Sequence, residues 1–209
     1  MKYKNIIFDL DGTLIDSAPG IEESFYKAYF KVYKKNCTHS ITTLIGPPID
    51  HVLIAVNGES NEDTLKFFIE EFKQSYDSEG YKKTVLYDDV ESVLELLLIN
   101  KLKLFISTNK RDKPTKLILD FLSINKYFCE IYCPDSFELI FKTKSDSIAS
   151  LLKRNLLSSN ETLLVGDTLH DGISAFQNNI DFAFADYGYG SYDKFKFKIK
   201  SIKELINFL

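Results

Sequence analysis

Asp9 and Asp11 stand two residues apart, directly after the apolar run Ile6-Ile7-Phe8. Side chains alternate faces along a strand, so two acids at that spacing project to the same side of its tip. Strand packing has no use for them, because an ionised carboxylate that is neither paired, hydrogen-bonded nor metal-bound is costly to desolvate. Open α/β sheets bind their ligands at the carboxyl ends of strands. The pair by itself fits either chemistry on a bound group or two solvated loop acids with Gly12 making the turn, and Gly12-Thr13-Leu14-Ile15-Asp16-Ser17 continues the segment.

Three other groups lie where apolar runs end. Ser107-Thr108-Asn109 follows Lys103-Leu104-Phe105-Ile106 and offers hydroxyl and amide donors that suit a phosphate oxygen or an ordinary capped turn. Lys142-Thr143-Lys144-Ser145-Asp146 is a short basic loop entering a helix, whose N-terminus adds partial positive charge. Leu163-Leu164-Val165-Gly166-Asp167-Thr168-Leu169-His170-Asp171 runs an apolar strand into Gly-Asp-x-x-x-Asp. Gly166 allows a tight turn, and Asp167 then faces the same edge as Asp9 and Asp11. A set of hard oxygen ligands with no His or thiolate among them selects Mg²⁺ over Zn²⁺.

The elements that position these groups follow from periodicity. Between Asp16 and about Lys82 the pattern is helical, with Ile21, Phe25, Ala28, Tyr29 and Val32 at helical spacing, Ser17 as N-cap and Pro19 in the first turn. Gly46-Pro47-Pro48 breaks it, a short helix carries Val52, Leu53 and Val56, and a longer one carries Leu65, Phe68, Ile69 and Phe72. From Tyr87 helix and strand alternate. Helices are expected over 90–99, 114–122, 145–155, 169–177 and from Ser201; strands are expected over 102–107, 131–133, 162–165 and 182–185. Such alternation implies an α/β fold with a parallel, doubly wound sheet. The division expected is a core of residues 1–15 and 83–209 with a small helical domain, 16–82, inserted after the first strand.

Composition excludes several alternatives. Over 209 residues, 44% apolar and 27% charged content is that of a globular chain. A formal charge of −4 gives no electrostatic footprint for nucleic acid. Lys194, Lys196, Lys198 and Lys200 alternate with Phe195, Phe197 and Ile199, which reads as a solvated strand face. No apolar run spans a bilayer and no leader precedes the first strand, so no membrane partner and a cytoplasmic location are expected. Cys37, Cys129 and Cys133 lack the spacing of a zinc site and read as small apolar residues; His39, His51 and His170 are scattered, and nothing pairs them with a nucleophile.

The segment Asp9 to Ser17 resembles, without a mismatch, the first motif of the haloacid dehalogenase superfamily, Asp-x-Asp-Gly-Thr-Leu-x-Asp-Ser. Ser107-Thr108-Asn109 resembles its second motif and Gly166-Asp167 to Asp171 its fourth. The third is often Lys-Pro-x-Pro-Asp, which would select Lys142. Both prolines are absent here, and the variant in which the lysine directly precedes the helix selects Lys144. The likeness covers essentially the whole chain and is closest to subfamily IA, the phosphoglycolate-phosphatase-like group with a C1 cap on a Rossmann-like core.

The resemblance implies a Mg²⁺-dependent hydrolase of a small phosphomonoester. Asp9 would be the nucleophile, forming an aspartyl-phosphate, and Asp11 the general acid and base. Mg²⁺ would be held by Asp9, the Asp11 carbonyl and Asp167, with Asp171 buttressing it. Thr108, Asn109 and Lys144 would hold the phosphate. The cap loop Thr43-Leu44-Ile45-Gly46-Pro47-Pro48-Ile49 resembles a specificity loop in which Gly46 approaches substrate; equally, it breaks two helices. The substrate expected is phosphoglycolate, a nucleotide or a sugar phosphate. A β-phosphoglucomutase-like transferase and a non-catalytic binding protein of the same fold are the alternatives, and monomer and homodimer are both compatible with this sequence.

Overall fold

The computed structural model describes residues 2–58, 60–138, 140–192, 194, 195 and 197–208. Strand β1 (Asn5–Phe8) leads to the short β2 (Ile15–Asp16), then to helices α1 (Ala18–Tyr33), α2 (Ile49–Asn57) and α3 (Glu62–Ser78). The chain continues through β3 (Val85–Leu86), α4 (Val90–Ile99), β4 (Lys103–Ser107), α5 (Asp112–Phe121), β5 (Glu130–Tyr132) and α6 (Lys144–Arg154). It ends with β6 (Thr162–Gly166), α7 (Leu169–Gln177), β7 (Asp181–Ala185), β8 (Lys198–Ile199) and a 3₁₀ stretch, Ile202–Phe208.

Six strands form one sheet in the order β5-β4-β1-β6-β7-β8, parallel at every pairing. The period of two along β1 sends Ile6 and Phe8 to one face and Ile7 to the other. On the first face they pack with Val93 and Leu97 of α4 and with Ile118 and Leu119 of α5. On the second, Ile7, Phe105 and Leu164 pack with Ile148 and Leu151 of α6 and Ala175 of α7. Helices thus cover both faces of a doubly wound sheet, as the alternation implies.

Strand β1 is the point of reversal, since the chain builds β4 and β5 on one side of it and β6, β7 and β8 on the other. The crevice beyond its carboxyl end is where such sheets bind ligands. Phe8 pairs in register with Ile106 and with Val165, so residue 9 emerges level with Ser107 and Gly166. Topology alone therefore brings the first, second and fourth motifs to one edge.

The three helices α1 to α3 leave and rejoin the sheet domain through a two-residue antiparallel ladder, Ile15 opposite Leu86 and Asp16 opposite Val85. This ladder is absent from the expected elements, because two residues carry no readable period. Phe25 and Phe68, at 5.1 Å between ring centroids, join α1 to α3, and their apolar cluster is continuous with that on the α4–α5 face.

Four local expectations are corrected. Ser17 occupies the N-cap position of α1 but makes no capping bond; its hydroxyl donates instead to Asp11 Oδ1. The lysine-rich strand is only the two-residue β8; Lys196 lies outside the described residues, and the final helix is 3₁₀. Of the cysteines only Cys133 is buried, while Cys129 is exposed. Among the described residues no helix is long and apolar enough to cross a membrane.

Candidate active site

Asp9 leaves β1 with its N–H still in the ladder, donating to Val165 O at 2.8 Å. The next turn needs Gly12, which has φ +79° and at which a Cβ would lie 2.2 Å from Asp167 Oδ2. Only a residue without a side chain lets the first-motif turn close on the fourth-motif acid.

Lys144 is the first residue of α6. A capping box fixes that start, with Thr143 Oγ1 accepting from Asp146 N–H at 3.1 Å and Asp146 Oδ2 accepting from Thr143 N–H at 3.0 Å. The buried Lys144 ammonium then lies 2.6 Å from Asp9 Oδ1 and also contacts Asp171 Oδ1. Lys142 is exposed. Of the two lysines considered, the structure brings Lys144 to the acids.

Asp171 belongs to a second capping box, at the start of α7, in which Thr168 N–H donates to Asp171 Oδ2 at 3.0 Å. Oxygens of Asp9, Asp167 and Asp171 all lie within 4.8 Å of one another. Three buried carboxylates here face one ammonium. Burial drives the Asp9 carboxyl well above its ordinary value; Lys144 opposes the rise, and Asp171 and Asp167 add to it. Burial, then the neighbouring Asp171, pushes Asp167 up to about 7. Burial alone would lower the Lys144 ammonium, but Asp171 and Asp9 more than offset it and hold the charge on. An all-oxygen set with excess negative charge fits a hard divalent cation.

Asp11 faces a different set of partners. Its Oδ1 receives the Ser17 hydroxyl and lies 3.0 Å from the ammonium of Lys110, which is buried and donates to the Tyr76 hydroxyl of α3 at 3.0 Å. The side chains of Asp9 and Asp11 thus share an edge but not an environment. Lys110 is absent from the residues expected on sequence, although it directly follows Thr108-Asn109.

Thr108 is buried at the end of β4, its N–H bonded to Tyr132 O at 3.0 Å and its Oγ1 accepting from Lys110 N–H at 3.1 Å. Its hydroxyl proton remains available to a ligand oxygen. Asn109 Nδ2 donates to Gly46 O at 3.2 Å. Gly46 has φ +129°, and a Cβ there would meet Thr168 Cγ2 at 3.3 Å. The cap loop therefore touches the second and fourth motifs at once, and Gly46 does more than break two helices.

The segment after β7 supplies another unexpected group. Tyr189 N–H and Gly190 N–H donate to Asp167 Oδ2 at 2.8 and 3.4 Å, and Thr13 Oγ1 donates to Oδ1 at 3.3 Å. The Tyr189 hydroxyl accepts from Ser17 and Ala18 N–H at 2.7 and 2.9 Å and donates to Asp16 Oδ1 at 2.8 Å. Tyr189 thus supplies the cap of α1 that Ser17 does not. Tyr189→Phe is expected to lower stability by about 1–3 kcal/mol by leaving these N–H groups unpaired, measured as a fall in the urea midpoint with an unchanged slope.

The sequence matches the haloacid dehalogenase-like hydrolase family over residues 6–185. It is 30% identical over 190 residues to the tyrosine-protein kinase PtkA of Mycobacterium tuberculosis, covering 90% of this chain and 64% of that protein; the chain therefore spans under two thirds of that relative's length. It is also 30% identical over 196 residues to the phosphoglycolate phosphatase of Photobacterium profundum, covering 89% of this chain and 84% of that one. The crystal structure of a predicted phosphatase from Clostridium acetobutylicum superposes with a TM-score of 0.90 at 27% identity, covering 100% of both chains. The family match takes in the first, second and fourth motifs and Lys144, which the sheet gathers at one edge, and on that ground the chain belongs to the haloacid dehalogenase-like hydrolases.

Proposed function

We propose that the chain hydrolyses a small phosphomonoester with Mg²⁺, through an aspartyl-phosphate on Asp9. The observation that carries this reading is the Lys144 ammonium 2.6 Å from Asp9 Oδ1, with the carboxylates of Asp167 and Asp171 beside it. The helical segment, bounded at 16–82, serves in this reading as the cap that excludes water.

Asp9 attacks phosphorus while Asp11 gives its proton to the departing oxygen. Asp11 then takes a proton from the water that attacks the aspartyl-phosphate, so phosphate leaves and both acids return to their starting states. Lys144 neutralises the nucleophile and the phosphate together, and Thr108 and Asn109 hold the remaining oxygens. Mg²⁺, held by Asp9, the Asp11 carbonyl and Asp167 with Asp171 beside them, would supply the remaining positive charge between phosphate and carboxylate.

A phosphate-release screen over small phosphomonoesters with Mg²⁺ tests the reaction. Release from at least one class is expected. Conversion of a sugar 1-phosphate to its 6-phosphate without release, or phosphotyrosine formation from ATP as the mycobacterial relative's name describes, contradicts it.

The metal assignment has a test independent of turnover. A carboxyl raised to about 7, as at Asp167, stabilises the fold most below its ordinary pKa near 4 and loses that contribution as pH rises through 7. Metal must displace the same proton. Mg²⁺ at a hundredfold excess over its Kd is expected to add about 2.7 kcal/mol. Its shift in Tm should be larger near ~pH 8 than near ~pH 5.5, where protons compete; an equal shift at both contradicts the site.

A further inference from the structure

Beside Asp11 the core and the helical segment enclose a cavity of about 240 Å³, walled by Ile21, Ile45, Ile49, Ile69, Phe72 and Tyr76. Phe72 and Tyr76 are stacked, with ring centroids 5.4 Å apart and planes at 10°. Sites that bury drug-sized ligands occupy about 300–1,000 Å³, so this cavity suits a fragment of about one or two rings. Because Asp11 lines it, whatever departs with the oxygen that Asp11 protonates occupies this space.

Three cations reach the cavity, Lys73, Lys110 and Arg111, and each already has an acid partner. Lys110 is 3.0 Å from Asp11. Arg111 holds Asp77 through contacts of 2.7 and 3.3 Å, and Lys73 lies 3.0 Å from Glu70. Asp50 adds another negative charge to the lining. A carboxylate on the leaving group would enter a largely apolar space in which Lys110 and Arg111 are held by the protein's own Asp11 and Asp77, while Lys73 sits at the solvent-facing rim with the exposed Glu70, an arrangement that desolvation disfavours.

We propose that this cavity is the leaving-group subsite and that it selects an uncharged leaving group carrying an aromatic ring, over the ester of a small carboxylic acid. The proposal rests on the phosphatase reading above. The ring fills the space between the stacked Phe72 and Tyr76 and the isoleucines, where aromatic and aliphatic contact both favour it, while the paired cations leave a carboxylate without a partner.

The test compares phosphate release from benzyl phosphate, ethyl phosphate and phosphoglycolate, all esters of aliphatic alcohols, by the purified chain with Mg²⁺. Burial of the ring is expected to give benzyl phosphate a kcat/KM roughly ten- to hundredfold above ethyl phosphate, with phosphoglycolate the poorest of the three. Phosphoglycolate turned over as well as benzyl phosphate overturns the subsite and leaves the phosphatase reading standing. No release from any of the three overturns the subsite, and no release across the wider screen of phosphomonoesters overturns the phosphatase reading with it. Ile69→Lys, at a half-buried wall position, places an uncommitted cation in the cavity. It is expected to move the ratio of the two rates toward phosphoglycolate by about tenfold; an unmoved ratio in the folded variant counts against the proposal. The ranking by the unaltered chain decides the matter if that variant fails to fold.

Discussion

Asp9→Asn is expected to reduce turnover by at least ~10⁴-fold, the scale on which removal of a covalent nucleophile acts, while the fold persists. The amide keeps the shape of the carboxylate but cannot attack phosphorus. It also removes one of three buried carboxylates that crowd a single ammonium, and burial already raises the Asp9 carboxyl well above its ordinary value. The variant should therefore be no less stable than the parent in the absence of Mg²⁺, and should gain less from Mg²⁺. Circular dichroism and a melt with and without the metal, beside the phosphate-release assay, read all three expectations. Near-normal activity would remove Asp9 from the nucleophile's role.

Lys144→Met is expected to lower kcat by about 10²–10³-fold, the effect of losing one preorganised charge partner of the transferring group. Methionine keeps the apolar stem, so the loss is chiefly one of charge. Asp9 and Asp171 are then left buried without their shared ammonium, and breaking a buried pair costs roughly 3–5 kcal/mol. Unlike Asp9→Asn, this variant should therefore melt lower without Mg²⁺ and recover part of the loss with it. Lys142→Met, two residues away on an exposed position, should change stability by less than about 0.5 kcal/mol and leave turnover near that of the parent. Equal losses from the two variants would contradict the choice of Lys144.

The contrast between the two lysines indicates what a sequence can carry. Thr143 and Asp146, three apart, form the capping box that starts α6 at Lys144. The doubly wound sheet is similarly legible, because helix and strand periods are local and their alternation restricts topology. The partners of Asp11 are not. Lys110 meets Tyr76 across 34 residues of chain and Tyr189 caps α1 across more than 170, and no local pattern encodes such meetings. Ser17 fails as a side-chain cap for a local reason, since Asp11, six residues earlier and brought near by the turn at Gly12, takes its hydroxyl. Asp167 is legible as a strand-tip acid, but the two N–H groups that orient it come from Tyr189 and Gly190, beyond the next strand.

These long-range contacts also tie the helical segment to the sheet edge that carries the candidate site. Asn109 to Gly46, Lys110 to Tyr76 and Arg111 to Asp77 are three successive residues after β4, each bonded to the helical segment. The second motif thus offers Thr108 toward the proposed phosphate position, while the next three residues fasten the segment that walls the proposed leaving-group cavity.

The central claim is that the phosphoryl group passes through Asp9. Borohydride added during steady-state turnover reduces an acyl phosphate to the alcohol, and mass spectrometry of the digested chain then locates the reduced residue. The account predicts homoserine at position 9, formed only when substrate and Mg²⁺ are both present and absent from Asp9→Asn. Reduction at another residue, or none at position 9 while phosphate is being released, would contradict it.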